Sequence, residues 1–455
     1  MRDERLSSIF LKNDIRGVYG DVLTTDFAYK FAVALSQNLD AKRIVVGSDN
    51  RASSPQLVSA IISGLLSRGV EVTPVGIVPT PAIYYITATE DFDLGIIITA
   101  SHNPKEYNGI KVCDSKGASY SYDNLFSIIK ETMLNLHVEQ IDQEIPDRNR
   151  ELVKKYTDFL RSNLVQDSKL NIAVEYGNGT TSLFSEVIRD EEKTELGKDM
   201  DANFPRLLPD PAKEKSYVEL KKEFTNKKYD MGMIFDTDGD RVGFTDETGA
   251  IISPDQISML FLDFLEKHSS LLIDVKMSKA IRDYANQKGY TVEFTEVGHS
   301  KVHENLLHKN FHMAAELSCH YYFNLGYHGF DDGLYAGVKF INIVKQIKNS
   351  GSSLSKIVES LPKYRSSKEF RIQCSREKQK IIIDTLKTHA EKNCAEIVDI
   401  DGVRCHFEDG WFLVRPSSTE ERLSYRVEGV TEDSKEKYLN LINDVINDVI
   451  NDFVN

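Results

Sequence analysis

The sequence predicts an α/β fold of parallel βαβ units followed by a closing segment of a different kind. Three observations predict it. Short apolar strand signals alternate with helical periodicities through the first third of the chain. The alternation recurs further on, each time with polar residues directly after a strand's C-terminal end. Beyond residue 365 the pattern changes to hairpin and strand signals that end in one long helix. Strands alternating with helices imply a parallel sheet covered on both faces.

Thr25 caps a first helix whose Phe27, Phe31, Ala34 and Leu35 share a face. Ile44-Val45-Val46 is a short buried strand ending at Gly47. Ser54-Pro55 opens a helix with Leu57, Ile61, Leu65 and Leu66 on one side, and Gly69 closes it. Val72 to Val75 reads as a strand broken by Pro74. Leu94 to Thr99 is a continuous apolar strand. Asn171 to Glu175, Met231 to Phe235 and Leu271 to Asp274 are later strands, the last leading to a helix from about Ser278. Open α/β sheets bind ligands beyond such strand ends.

In the closing segment, Asp401-Gly402 is a hairpin-like turn, and Trp411 to Val414 and Ser424 to Val427 are strands. Thr431 caps the final helix, where Ile442, Ile446 and Ile450 recur every four residues as a packing face. Residues 362–369 are polar and read as a linker. Boundaries fall near residues 150, 252 and 365.

Length and charge bound the function. At roughly 100–200 residues per domain, 455 residues make three or four domains. Fifty-six basic against 70 acidic side chains leave a net charge of -14. That argues against nucleic acid or an anionic membrane as partner, because no basic excess exists to release counterions. Five cysteines without C-x-x-C spacing fit a reducing compartment and no zinc ribbon. The charged N-terminus lacks a signal-peptide core, and no apolar run approaches membrane-span length. A soluble cytoplasmic protein is expected.

Four segments carry chemistry, and each has an ordinary alternative. Gly95 to Val112 delivers Thr99-Ala100-Ser101-His102-Asn103-Pro104 to the end of a buried strand. Small neighbours would leave the Ser101 hydroxyl exposed, and His102 and Lys111 offer protons or positive charge to a reacting phosphate. A polar turn with an Asn-Pro breaker has the same composition. Asp236-Thr237-Asp238-Gly239-Asp240-Arg241 also follows a strand directly. Its three carboxylates converge on one hard cation if the backbone curls, which Gly239 permits. Mg²⁺ is the expected ion, against a solvated acidic turn. An EF-hand is disfavoured, because its required glycine is Arg241 here and strand-like sequence flanks the loop. Arg241 is a phosphate ligand or a charge balance.

Arg415-Pro416-Ser417-Ser418-Thr419 offers a bidentate guanidinium and hydroxyls to a phosphate, although Ser/Thr-rich turns are common. Glu316, Ser318 and His320 alternate, and either face one side to bind hydroxyls or form a polar strand edge. Arg16, Arg51, Lys276 and His299 are weaker candidates, each by itself read as a surface salt bridge. The absence of a Walker A loop and of G-x-G-x-x-G makes a kinase or dinucleotide enzyme unexpected.

Taken together, NDIRG (13–17), VVGSDNR (45–51), TASHNP (99–104), DTDGDR (236–241), VGHS (297–300), ELSCH (316–320) and RPSSTE (415–420) resemble the α-D-phosphohexomutase superfamily, nearly end to end. The resemblance implies four domains around a central cleft, three related α/β and a distinct α+β one. They are a phosphoserine-bearing domain (1–150), a metal-binding domain (151–252), a sugar-recognition domain (253–365) and a phosphate-binding domain (366–455). It implies interconversion of hexose 1- and 6-phosphates of mannose or glucose, through phosphorylated Ser101 and a hexose 1,6-bisphosphate. Ser101, Asp236, Asp238 and Asp240 would hold Mg²⁺. Arg16, His102, Lys111 and Arg241 would surround the transferring phosphate, with Lys111 and His320 as acid/base groups. Arg415, Ser417, Ser418 and Thr419 would grip the other phosphate. Glu316 and Ser318 would contact sugar hydroxyls, and Lys276 and His299 would support either end. The partners implied are sugar phosphates, for a monomer or homodimer. Asn13, Ser48, Ala315 and Cys319 depart from the superfamily's Tyr, Arg, Gly and Gly, which bears on sugar choice more than on reaction type. A phosphoglucosamine mutase and a non-catalytic sugar-phosphate binder are the alternatives.

Overall fold

The computed structural model describes residues 2–206, 209–265, 268–416 and 421–452. The first sheet contains β1 (Ile15–Val18), β2 (Arg43–Ser48), β3 (Glu71–Ile77), β4 (Leu94–Ile98) and β5 (Tyr107–Asp114), in the order β1-β5-β4-β2-β3. The second contains β6 (Asn171–Glu175), β7 (Glu192–Leu196), β8 (Met231–Phe235), β9 (Val242–Thr245) and β10 (Ile251–Ile252), in the order β10-β9-β8-β6-β7. The third contains β11 (Ser270–Asp274), β12 (Thr291–Thr295), β13 (Met313–Ala315) and β14 (Tyr321–Phe323), in the order β12-β11-β13-β14.

These sheets share one plan. Three parallel strands (β3-β2-β4, β7-β6-β8, β12-β11-β13) are followed by an antiparallel return (β5, β9, β14). The sequence predicts parallel strands only. The returns are antiparallel because the joining loops are too short for a crossover helix. Those loops, 99–106, 236–241 and 316–320, are topologically equivalent, and they carry the candidates Ser101, Asp236, Asp238, Asp240, Glu316, Ser318 and His320.

The fourth sheet is antiparallel: β15 (Arg365–Ser366), β16 (Phe370–Gln373), β17 (Glu396–Val398), β18 (Val403–Phe407), β19 (Gly410–Pro416) and β20 (Arg422–Gly429). The helices Arg376–Asn393 and Glu432–Asp452 pack on it, giving the expected α+β unit. Asp401 and Gly402 turn between β17 and β18 with φ of 54° and 116°. One apolar core runs through all four units, including Val45, Ile83, Tyr156, Met231, Phe261 and Trp411. Helix Gly333–Asn349 follows the third sheet yet packs on β8 and β9 of the second.

Several local expectations shift. Thr24, not Thr25, caps the first helix, accepting from Phe27 N at 3.1 Å. β3 runs through Pro74 unbroken, because β3 is an edge strand and the register slips between Val46 and Gly47 opposite it. The residues 362–369 include the short strand β15. In the last helix Tyr438, Ile442, Ile446 and Val449 are buried, and Ile450 is half-buried. At 3.6 residues per turn a four-residue step drifts off the face.

Candidate active site

β4 is buried along its whole length and ends in the Ser101 loop. Ser101 takes a left-handed φ of 48°. Its N–H donates to Thr99 Oγ1 at 3.0 Å, and its carbonyl accepts from Thr237 Oγ1 at 2.7 Å. Its hydroxyl donates to Asp236 Oδ2 at 2.7 Å and lies 3.1 Å from His102 Nδ1. The expected exposure of this hydroxyl does not hold. Its neighbours Thr99 and Ala100 are small, but the acidic loop of the second sheet closes over it, and Ser101 is fully buried.

Gly239, at φ 79°, turns the acidic loop as its sequence requires. Gly333 N donates to Gly239 O at 3.0 Å, and a side chain on Gly333 would collide with the Arg241 and Gly239 backbone. Asp236, Asp238 and Asp240 each offer an oxygen within 4.8 Å of the others. All three are buried. Asp238 Oδ2 accepts from Thr80 Oγ1 at 2.7 Å and Thr99 Oγ1 at 3.0 Å, which ties the loop to the first sheet. Asp238 Oδ1 and Asp240 Oδ1 have no hydrogen-bond partner. Three buried carboxylates gathered this closely, two of them with an orphaned oxygen, fit a hard divalent cation. Burial, then Asp240 and Asp238, hold the Asp236 carboxyl well above the usual range.

Cations surround these oxygens. Lys111 Nζ lies 2.5 Å from Asp240 Oδ2. Burial opposes its charge, yet Asp240 and its neighbours hold Lys111 well above the ordinary lysine range. Arg16 pairs with Asp14 at 2.8 Å and reaches Ala100 O and Asn103 Oδ1 in the serine loop. Arg241 Nε lies 3.8 Å from both Asp236 and Asp240. Arg241, then burial and Arg16, push the His102 imidazole down to about 2.

Glu316, Ser318 and His320 meet by a turn rather than by strand alternation, because Cys319 adopts φ 71° between β13 and β14. His320 Nδ1 lies 3.1 Å from Glu316 Oε2 and 2.9 Å from Ser318 Oγ. Burial and Arg241 lower its affinity for a proton, but Asp240 and Glu316 outweigh them and raise it to about 9. Arg241 Nε donates to His320 Nε2 at 3.2 Å, a bond only the neutral ring accepts, so Arg241 must turn away before the ring takes the proton that Asp240 and Glu316 favour. With the Nδ1 proton assigned by the Glu316 contact, both partners are satisfied. His299 is buried with both ring nitrogens unpartnered, 4.0 Å from Asp331 at the nearest approach. Burial and Lys111 lower it to about 3.

Lys276 and Arg415 lie apart from this cluster, towards the fourth unit. Both act on Glu369. Arg415 binds Asp401 Oδ2 at 2.6 Å. The carbonyls of Val275, Lys276 and Met277 accept from Arg404 and Arg426. Ser417, Ser418 and Thr419 lie outside the described residues.

Asp331, Thr80, Asp14 and Asp210, which adjoin His320, Asp238, Arg16 and, at 3.7 Å, Arg241, have no role in the sequence reading. Asp331 lies 3.8 Å from His320. Its signal was a paired Asp331-Asp332 directly before a glycine-led helix. Asn13 bridges to the His299 loop, accepting from Ser300 Oγ at 2.9 Å. Arg51, read as a surface salt bridge, is instead 1% exposed.

A serine and an acidic loop that arrive on different sheets and share a hydrogen bond have the geometry phosphoryl transfer requires, a reaction in which positioning and charge neutralisation supply the catalysis. Comparison with known proteins identifies the family. Phosphoglucomutase/phosphomannomutase alpha/beta/alpha domains I, II and III match residues 7–135, 153–249 and 253–364, and its C-terminal domain matches 369–445. The chain is 30% identical over 449 residues to a phosphomannomutase/phosphoglucomutase of Pseudomonas syringae, covering 94% of this chain and 93% of that one. It is 32% identical over 445 residues to a phosphoglucomutase of Neisseria gonorrhoeae, covering 95% of each. A crystal structure of a phosphoglucomutase/phosphomannomutase family protein from Burkholderia thailandensis superposes with a TM-score of 0.89 at 28% identity, covering 97% of each chain. The chain belongs to the phosphoglucomutase/phosphomannomutase family, and is a hexose phosphate mutase of the α/β type.

Proposed function

We propose that this mutase interconverts mannose or glucose 1-phosphate and 6-phosphate through a phosphoryl group carried on Ser101. The observation that carries the reading is the Ser101–Asp236 contact of 2.7 Å beside two unpartnered carboxylate oxygens. Asp236, Asp238 and Asp240, with an oxygen of phosphorylated Ser101, would hold Mg²⁺. When bound, the ion neutralises charge on the phosphoryl oxygens.

The chain's own residues do the rest. The attacking sugar oxygen forms the new P–O bond as the Ser101 Oγ–P bond breaks. Its proton passes to His320, whose imidazolium is stabilised by Glu316 in the manner of a carboxylate-supported base. Lys111, kept charged by Asp240, supplies the proton or charge that the departing serine oxygen needs. Arg16, His102 and Arg241 line the transferring group. The hexose 1,6-bisphosphate then turns over, and its other phosphate returns to Ser101. Arg415, Ser417, Ser418 and Thr419 grip the phosphate that is not transferring, with Lys276 and His299 at either end. Glu316 and Ser318 meet the sugar hydroxyls.

The same reading divides the chain at residues 150, 252 and 365, and places a monomer or homodimer in the cytoplasm. No helix among the described residues is long and apolar enough to cross a membrane.

A coupled assay on mannose, glucose and glucosamine 1-phosphates, with Mg²⁺ and bisphosphate present, tests the function. Turnover of the first two supports it, preference for glucosamine 1-phosphate redirects it, and no turnover of any sinks it. Intact mass after bisphosphate treatment should show one added phosphate that Ser101→Ala lacks.

A further inference from the structure

The side chain of Arg51 is enclosed between the serine loop, Asp49 and the Phe204 ring. A guanidinium has five N–H donors, and here all five are used. Nε donates to Asp49 Oδ2 at 3.0 Å. Nη1 donates to Pro104 O at 2.6 Å and Tyr107 O at 2.9 Å. Nη2 donates to Ser101 O at 2.6 Å and Asn103 O at 2.7 Å. Asp49 is fixed in turn by Ser54 Oγ at 2.6 Å and Arg51 N at 3.0 Å. The Phe204 ring covers the guanidinium, 5.4 Å from Cζ.

We propose that Arg51 is a positioning residue for phosphoryl transfer, holding four carbonyls of the loop 101–107 so that Ser101 Oγ faces Asp236. This rests on the reading of Ser101 as the phosphoryl carrier. Two arguments favour it over a merely stabilising role. A buried ion pair is weak evidence for stability, because desolvating both charges offsets their attraction. The left-handed conformation of Ser101, at φ 48°, is disfavoured for a residue with a Cβ, so it persists only where its surroundings hold it. Two side chains bond the Ser101 carbonyl, Arg51 and Thr237. Arg51 alone also spans Asn103, Pro104 and Tyr107. Lysine, with three donors on a point charge, cannot span four carbonyls and a carboxylate.

The test compares Arg51→Lys and Arg51→Gly with Lys345→Met. Lys345 is an equally buried cation, bonded to Glu191 Oε1 and Val165 O at 2.6 Å, whose partners are unrelated to the serine loop. Well below each melting temperature, both Arg51 variants should lose about 10²-fold in kcat, the loss expected for a misplaced reacting atom, with KM little changed. Added guanidinium should restore part of the activity of Arg51→Gly and none of Arg51→Lys. Lys345→Met should lose stability and keep kcat. A folded Arg51→Lys with wild-type kcat overturns the proposal, as does a kcat loss that merely follows the melting temperature in all three. If neither Arg51 variant folds, hydrogen exchange on the wild type decides. The amides of Ser101, Asn103 and Tyr107 should exchange as slowly as those of β4, and fast exchange overturns the proposal. A wild type that never takes phosphate on Ser101 removes the parent reading and this one with it. Phosphorylated wild type beside unimpaired Arg51 variants removes this one alone.

Discussion

Ser101 Oγ and Asp236 Oδ2, on equivalent loops of two different sheets, lie 2.7 Å apart with both residues fully buried. On the proposed reading the first sheet supplies the group that reacts, and the second supplies the charge that holds it. Asp238→Asn tests this division. Its amide oxygen still accepts from Thr80 and Thr99, so melting temperature and circular dichroism should match the wild type. The loss of one anionic ligand should lower kcat by at least about 10²-fold, a few kcal/mol of transition-state stabilisation. Wild-type turnover in this variant would contradict the metal assignment.

Protons and Mg²⁺ should compete for the same loop. The Asp236 carboxyl is held well above the ordinary aspartate range, by burial first and then by Asp240 and Asp238. A cation needs it ionised. Mg²⁺ affinity measured calorimetrically should fall as pH is lowered, with proton uptake by buffer on binding. Affinity independent of pH would place the ion elsewhere.

Much of this site was legible because its parts are short and local. Ser101 and His102, and the three aspartates, each sit within a few residues at the end of an apolar strand. The recurrence of strand and helix in the three sheets was legible for the same reason, but their antiparallel returns were not. What was not legible depends on partners far along the chain. Thr80 meets Asp238 across 158 residues, and Arg51 bonds backbone carbonyls, which have no residue-type signature. The Ser101 hydroxyl was misjudged because small neighbours say nothing about a loop arriving from another sheet. Ile450 packs against the same core but is only half-buried, because a four-residue repeat only approximates the helical period.

Acid should unfold the protein partly through two histidines remote from the acidic loop. Burial lowers His303 to about 4 and, with Arg404 and Arg282, His406 to about 2, from an unfolded value of 6.5. A depressed value means that the unfolded chain binds the proton first. Their contribution is therefore intact above pH 6.5 and lost progressively as the pH falls towards the folded values. Each adds about 1.4 kcal/mol per pH unit to the slope in that window. His303→Gln keeps a donor for His328 O, so it should flatten the slope between pH 6.5 and 4 by one proton. Denaturant titrations at several pH values measure it. An unchanged slope would show that His303 titrates normally.

Arg404 joins the fourth unit to the turn that carries Lys276. Its guanidinium stacks 3.6 Å from the Trp411 ring centroid and 4.3 Å from that of Phe294. It donates to Val275 O at 2.5 Å, Met277 O at 2.8 Å and His406 Nε2 at 2.9 Å. Arg426 holds the intervening Lys276 carbonyl at 2.5 Å. Three consecutive carbonyls of the third unit are thus gripped by two arginines of the fourth. Arg404→Met fills similar volume but leaves three buried acceptors unmet, each costing about 1–3 kcal/mol. The variant should melt earlier by several degrees and show faster hydrogen exchange at Val275–Met277. If Lys276 binds the distal phosphate, KM should rise more than kcat falls, because the serine and acidic loops are untouched. A fall in kcat at constant KM would mean instead that the Lys276 turn acts on the reacting phosphate.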